Sequence, residues 1–181
     1  KAKEALAASA YPDGLDLEYV YVTGLEEERL TGLVLQDSLS DIGINITLTA
    51  VPWADAVATF ADPATAPELF PLYSSTAYAN ADNYLWAAFH SSQAGVWTNP
   101  GHYGNAEVDQ LLEAARAAVD PAEQQSLYAQ AEALIVEDAP NVFIAVTPED
   151  KIVGPRILNY ADAYNPVMGS TEDFYFFAVG G

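Results

Sequence analysis

Residues 15–51 read LDLEYVYVTGLEEERLTGLVLQDSLSDIGINITLTAV, and the change of period inside this stretch decides the fold. From Leu15 to Val22, Leu17, Tyr19 and Tyr21 alternate with Glu18, Val20 and Val22 in a run rich in strand formers. A strand with both faces at least partly covered is expected there. Thr23 and Glu26 have the spacing of a capping box, in which two free amides at a helix start are satisfied reciprocally. Leu30, Leu33, Val34, Ser38, Leu39 and Ile42 then recur on one helical face up to Gly43, the expected C-terminal cap. Ile44, Ile46, Leu48 and Ala50 return to alternation as a second strand. Strand, helix and strand with short joins predict a parallel, right-handed crossover unit, and hence a mixed α/β fold.

Outward from this unit, Lys1 to Ser9 is helical by propensity and ends before the turn signal Tyr-Pro-Asp-Gly at 11–14. Beyond the second strand, Ala54 to Phe60 reads as a short helix. Glu68 to Ser75 reads as a third strand that Pro71 confines to an edge or distorts. After the loop TAYANADNYL comes a helical patch near Leu85 to His90. Asn105 caps a helix carrying Val108, Leu111, Leu112 and Ala115 on one stripe. Asp120-Pro121-Ala122-Glu123 combines an N-cap, an N1 proline and an N3 acid, and predicts a helix to about Glu137. Asp138-Ala139-Pro140 stops it before Val142 to Val146, a further strand, with a last one at Phe174 to Val179. No internal repeat is present.

The chain has 181 residues, enough for one domain or one large lobe of a bigger protein. We expect residues 1–181 to form a single domain. Its opening, KAKEALAASA, lacks an initiator Met and an apolar signal core, and reads as an excised piece. With 51 % hydrophobic residues and no apolar run near the ~20 residues of a membrane-spanning helix, the composition is that expected of a water-soluble globular chain. Six basic against 26 acidic side chains leave a net charge of −20, which repels a phosphate backbone and argues against nucleic acid as a partner. The absence of cysteine removes disulfides, thiolate nucleophiles and the commonest structural zinc sites.

Catalytic chemistry finds little support. There is no GxSxG, GxxxxGK[ST] or GxGxxG pattern. His90 and His102 lack a companion ligand spacing, so neither a metal site nor a cofactor is expected. A glycosidase-like enzyme would need two facing carboxylates, which no spacing marks among so many acids. The run TAYANADNYLWAAFHSS at 76–92 differs in kind. An irregular loop leaving the carboxyl end of a strand is where ligands bind open α/β sheets. Tyr84, Leu85, Trp86 and Phe89 read as anchors of that loop to the core, whereas Ser74, Ser75, Thr76, Tyr78 and Asn80 fit either a polar turn or a ligand-contacting wall.

Four segments in order, AKEALAASAYPDG, DIGINITLTAVPW, ADNYLWAAFHSS and HYGNAEVDQLLEAARAAVDPAEQQSLYAQAEALIVEDAP, resemble the family 5 extracellular solute-binding proteins, which include oligopeptide-, dipeptide- and nickel-binding components of ABC importers. The resemblance covers roughly residues 1–145. It implies the carboxyl-proximal lobe of a two-lobed receptor, with the N-terminal lobe lying outside this chain. It also implies capture of a small solute outside the cytoplasmic membrane, delivery to ABC permease subunits, a periplasmic or membrane-anchored location and no bond chemistry. A sensory module with the same fold is an alternative, as is the glycoside-hydrolase reading.

The family's strand-to-loop segment commonly carries an Asp that pairs with a peptide's amino terminus. Aligned on Asp82-Asn83-Tyr84, that Asp falls at Ala77 and the family's Trp at Ser74. With that charge absent, the hydroxyl and amide groups of Ser74, Ser75, Thr76, Tyr78 and Asn80 suit a neutral polar solute such as a sugar or an amide better than a free peptide amino group. Tyr78 or Trp97 would stack on a sugar ring, and Tyr103, the tyrosine ahead of the Asn-Ala-Glu-Val-Asp motif, completes the expected ligand set.

Overall fold

A computed structural model describes residues 1–74, 77–78, 80–146, 152–164 and 176–180. The helix α1 (Ala2–Ala8) precedes β1 (Leu15–Val22), α2 (Glu26–Ser40) and β2 (Ile44–Val51). The two strands pair in parallel, from Leu15 opposite Ile44 to Val22 opposite Val51. Gly14 makes this register possible where the strands begin. It has φ +102°, and a Cβ there would lie 2.1 Å from the Gly43 carbonyl oxygen, the atom that accepts the Leu15 N–H.

The crossover helix turns a different face to the strands from the one its leucines predict. Leu30, Leu33 and Val34 are exposed, and Glu28 and Gly32 are buried. Tyr19 sets this orientation. Its ring lies against Gly32, where a Cβ would come within 2.6 Å of Cε1, and its hydroxyl donates to the Glu28 carbonyl oxygen at 2.8 Å. The capping box of Thr23 and Glu26 does not form. Leu25 is the N-cap, without a side-chain cap bond, and the Glu28 carboxylate reaches back instead to accept the Val22 N–H at 2.8 Å. Burial, together with Glu28 and Tyr73, pushes the Tyr19 phenol up to about 12.

The third strand is reduced to one parallel bridge, Tyr19 to Leu69, with Val20 donating to Leu69 and Leu69 to Glu18. Pro71 supplies no donor to extend it. α3 (Trp53–Phe60) buries Ala56 and Phe60, and Phe70 meets Phe60 edge-on at 5.0 Å.

The described residues gather into two compact units: Lys1–Tyr73 with Ser91–Gly104, and Ser74–His90 with Asn105–Gly181. The second is mainly helical: α4 (Ala81–Phe89), α5 (Ala106–Ala117) and α6 (Pro121–Asp138). Val108, Leu112 and Ala115 are fully buried, on the stripe the sequence predicts, and pack with Ala131, Ile135, Leu85 and Phe89 in its core. The Asp120 side chain accepts the Ala122 N–H and Pro121 occupies the first turn of α6, as expected. Val142 to Val146 is not a strand. The segment is irregular and exposed, with Phe143 near Phe89 at 6.4 Å between ring centres. β3 (Ile157–Leu158), α7 (Tyr160–Ala163) and β4 (Ala178–Val179) follow, the two short strands pairing antiparallel. Among the described residues no helix is long and apolar enough to cross a membrane.

Candidate ligand-binding residues

Ser74, Tyr78 and Asn80 belong to the second unit, Trp97 and Tyr103 to the first, and Ser75 and Thr76 lie outside the described residues. Ser74, Tyr78 and Asn80 are all exposed. Asn80 has the extended backbone of an N-cap. Its side-chain oxygen accepts the Asp82 N–H at 2.9 Å, which starts α4. Its own N–H donates to the Tyr78 carbonyl at 2.9 Å, and its amide nitrogen lies 3.4 Å from Gln124 Oε1. Asn83 Oδ1 accepts the Ala77 N–H at 2.6 Å. The short polar side chains of this loop thus fold it onto the helix it precedes.

Asp82 is the centre of that arrangement. Its Oδ2 accepts the Tyr78 hydroxyl at 2.7 Å and Arg116 Nη2 at 3.0 Å, and its Oδ1 accepts Arg116 Nε. Burial pushes its carboxyl upward most strongly, but the donors Arg116, Tyr78 and Tyr128 outweigh that and hold it below its ordinary value. The Arg116 guanidinium also lies 3.4 Å from the centre of the Trp86 ring, and Trp86 stacks on His90 at 3.7 Å. Asn80, Gln124, Gln125, Tyr128 and Glu132 line part of a depression of about 340 Å³ in this unit.

In the first unit, Asn99 is buried and clasps a loop. Its Nδ2 donates to the Tyr103 carbonyl and its Oδ1 accepts the Tyr103 N–H, both at 2.9 Å. Trp97, on the same loop, meets Trp53 edge-to-face at 6.1 Å, and the two rings remain 46 % and 43 % exposed. Two half-exposed tryptophans offer apolar faces and indole donors to a planar or sugar-like group. His102 Nε2 lies 2.6 Å from the Phe60 carbonyl oxygen. Among the described residues no group of three or more His, Asp or Glu side chains could hold a metal ion.

Sequence reasoning missed Asp82, Arg116 and Trp53. Asp82 is the single charge in the aromatic run and Arg116 one of only six basic residues, a signal of pairing that their separation of 34 in sequence conceals. Trp53 was legible as an aromatic directly after Pro52, at a strand end, but nothing local ties it to Trp97.

No family model matches the chain. It is 24 % identical, over 96 % of its length, to heme-binding protein A of Haemophilus influenzae, of which it covers 32 %. It is 28 % identical, over 80 % of its length, to the glutathione-binding protein GsiB of Pectobacterium atrosepticum, of which it covers 29 %. The periplasmic binding protein DppA of Helicobacter pylori, solved with the peptide STSA, superposes with a TM-score of 0.67 at 25 % identity, over 77 % of this chain and 27 % of that one. The chain spans about a third of the length of the curated relatives it matches. These relatives and structural neighbours are family 5 solute-binding proteins, binding proteins of ABC importers and not enzymes, and the mixed α/β fold matches part of theirs.

Proposed function

We propose that residues 1–181 together are the carboxyl-proximal lobe of an extracytoplasmic receptor that captures a small solute and delivers it to an ABC permease. The observation that carries this reading is the superposition on a peptide-bound periplasmic binding protein, supported by a match to heme-binding protein A along 96 % of the chain. The N-terminal lobe of the same receptor completes the ligand cleft, and closure over the solute commits it to transport. Membrane anchoring and permease docking are part of the same proposal.

The solute is a neutral polar molecule, a sugar or an uncharged peptide-like compound; its candidate contacts are Ser74, Ser75, Thr76, Tyr78 and Asn80 in the second unit and, taken by themselves, Trp97, Trp53 and Tyr103 in the first. Ala77 stands where the resemblance expects the carboxylate for a peptide ammonium, and burying that ammonium without its partner costs several kcal/mol, on the order of the penalty for an unpaired buried charge. Calorimetry of the complete receptor against sugars, dipeptides and metal chelates tests this. A neutral solute is expected to bind in the micromolar range or tighter, and Trp97→Ala to weaken it about tenfold. Binding of cationic peptides alone rejects the neutral-solute reading.

A further inference from the structure

The loop that precedes α4 contains one exposed phenol whose hydrogen bond runs in a fixed direction. Tyr78 is 45 % exposed, and its hydroxyl lies 2.7 Å from Asp82 Oδ2. Asp82 receives the side-chain nitrogens Nε and Nη2 of Arg116, one on each carboxylate oxygen. A carboxylate clamped by both arms of a guanidinium is ionised and can only accept. The phenol's single hydrogen must therefore point at Asp82, and what its oxygen offers to solvent is lone pairs. The phenol is correspondingly pushed above its ordinary value, chiefly by the bond to Asp82.

We propose that Asp82 and Arg116 hold Tyr78 as an acceptor-only contact, so that this face of the receptor selects solutes presenting a hydrogen-bond donor there, a hydroxyl or an amide N–H. The assignment rests on the receptor reading above and names the polarity of the group that Tyr78 meets. A solute carboxylate or ether oxygen at that place would face the phenol's lone pairs with no hydrogen between them. The Asn83 side chain also lies against the phenol and eases its upward shift, as a donor to the phenol oxygen would, which keeps the hydroxyl hydrogen on Asp82. The Ala77 N–H is taken by Asn83, and both polar atoms of the Asn80 side chain have partners within the unit. Asp82 contacts the phenol and Arg116 acts through Asp82, so Arg116 is a positioning residue.

The test uses the complete receptor polypeptide and paired probes. These are methyl glucoside against its singly O-methylated ethers, and Met-Leu against its peptide-N-methyl and amino-terminal acetyl derivatives. In the wild type, capping the donor that faces Tyr78 is expected to weaken binding about tenfold, the worth of one hydrogen bond left unmade. Tyr78→Phe retains the ring and is expected to bind capped and uncapped probes within about threefold of each other. Asp82→Asn carries the assignment furthest. Its amide can donate to the phenol oxygen and release the hydroxyl hydrogen, which shifts preference toward the capped probes. A residue that merely braced the loop would weaken all probes alike. Arg116→Gln is expected to reduce the capping discrimination and Arg116→Lys to restore part of it. Equal capping ratios in wild type and Tyr78→Phe overturn the assignment and leave the receptor reading standing. Failure of every probe to bind the wild type overturns both.

Discussion

Gly32 shows how one residue decides which face of a helix is inside. Its missing Cβ makes room for the Tyr19 ring, and Tyr19 in turn binds the backbone at Glu28, so three residues lock the crossover helix in one rotation. A methyl at this position would meet Cε1 at 2.6 Å and Leu48 Cδ2 at 3.0 Å. Neither ring nor strand can withdraw without disturbing the β1–β2 pairing. Alanine is the better helix former by about 1 kcal/mol, yet overpacking of this kind costs about 1–3 kcal/mol, so the clash outweighs the propensity. Gly32→Ala is therefore expected to lower the urea midpoint with no change in the slope of the transition. An unchanged or raised midpoint would show that helix and strand can separate freely. Leu30, Leu33 and Val34 made the sequence point to the wrong face because an apolar stripe outranks a glycine and a glutamate in any hydrophobic pattern. A pattern cannot register a side chain whose value lies in its absence.

At the scale of elements, legibility follows how local the determining interaction is. α6 was readable to within a residue because its start is written in four consecutive positions, Asp120 to Glu123, and its N-cap bond joins neighbours. Asp120→Ala removes the acceptor for the Ala122 N–H and is expected to destabilise by about 1 kcal/mol, which thermal melts followed by far-ultraviolet circular dichroism measure directly. Asp120→Asn, which keeps an acceptor oxygen, is expected to recover most of the loss, since the cap works through that atom. The β1–α2–β2 unit was readable for a related reason, as alternation and short joins constrain the chain within 37 residues or so. The Glu68 to Ser75 and Val142 to Val146 segments were overcalled as strands. Apolar runs, with Phe70 and Tyr73 in the first and Val142, Ile144 and Val146 in the second, satisfy strand propensity without naming a partner, and a strand exists only where a second backbone answers its hydrogen bonds. The candidate site divides along the same line. The loop's polar residues and Trp97 are visible as types, but the Asp82–Arg116 clamp and the Trp53–Trp97 pair depend on tertiary contact.

Across the molecule, the 26 acidic side chains make pH a global variable, and two of them are set to respond in opposite senses. Glu28 is pushed upward, first by burial and further by Glu27, with the Val22 N–H only partly offsetting them. The folded state then binds this proton more readily than the unfolded chain. Its contribution is fully present below the ordinary carboxylate value of about 4.3, and is lost as pH rises through the raised folded value. Asp82 is held low, so its contribution is present above about 3.9 and lost as pH falls through the depressed folded value. General relief of like-charge repulsion accompanies any acidification of so acidic a chain, and only differences between variants separate the two groups from that background. Relative to wild type, Glu28→Gln is expected to be stabilised at pH 7, with the gain vanishing toward pH 4. Asp82→Asn is expected to be destabilised at pH 7, with the loss shrinking below pH 3.5. Urea titrations across pH read both, with Trp86 reporting the unit that holds Asp82, and Trp53 and Trp97 the unit that holds Glu28. Parallel pH dependence of the two differences would mean that bulk charge alone governs the acid response, with neither the burial of Glu28 nor Arg116's grip on Asp82 setting it.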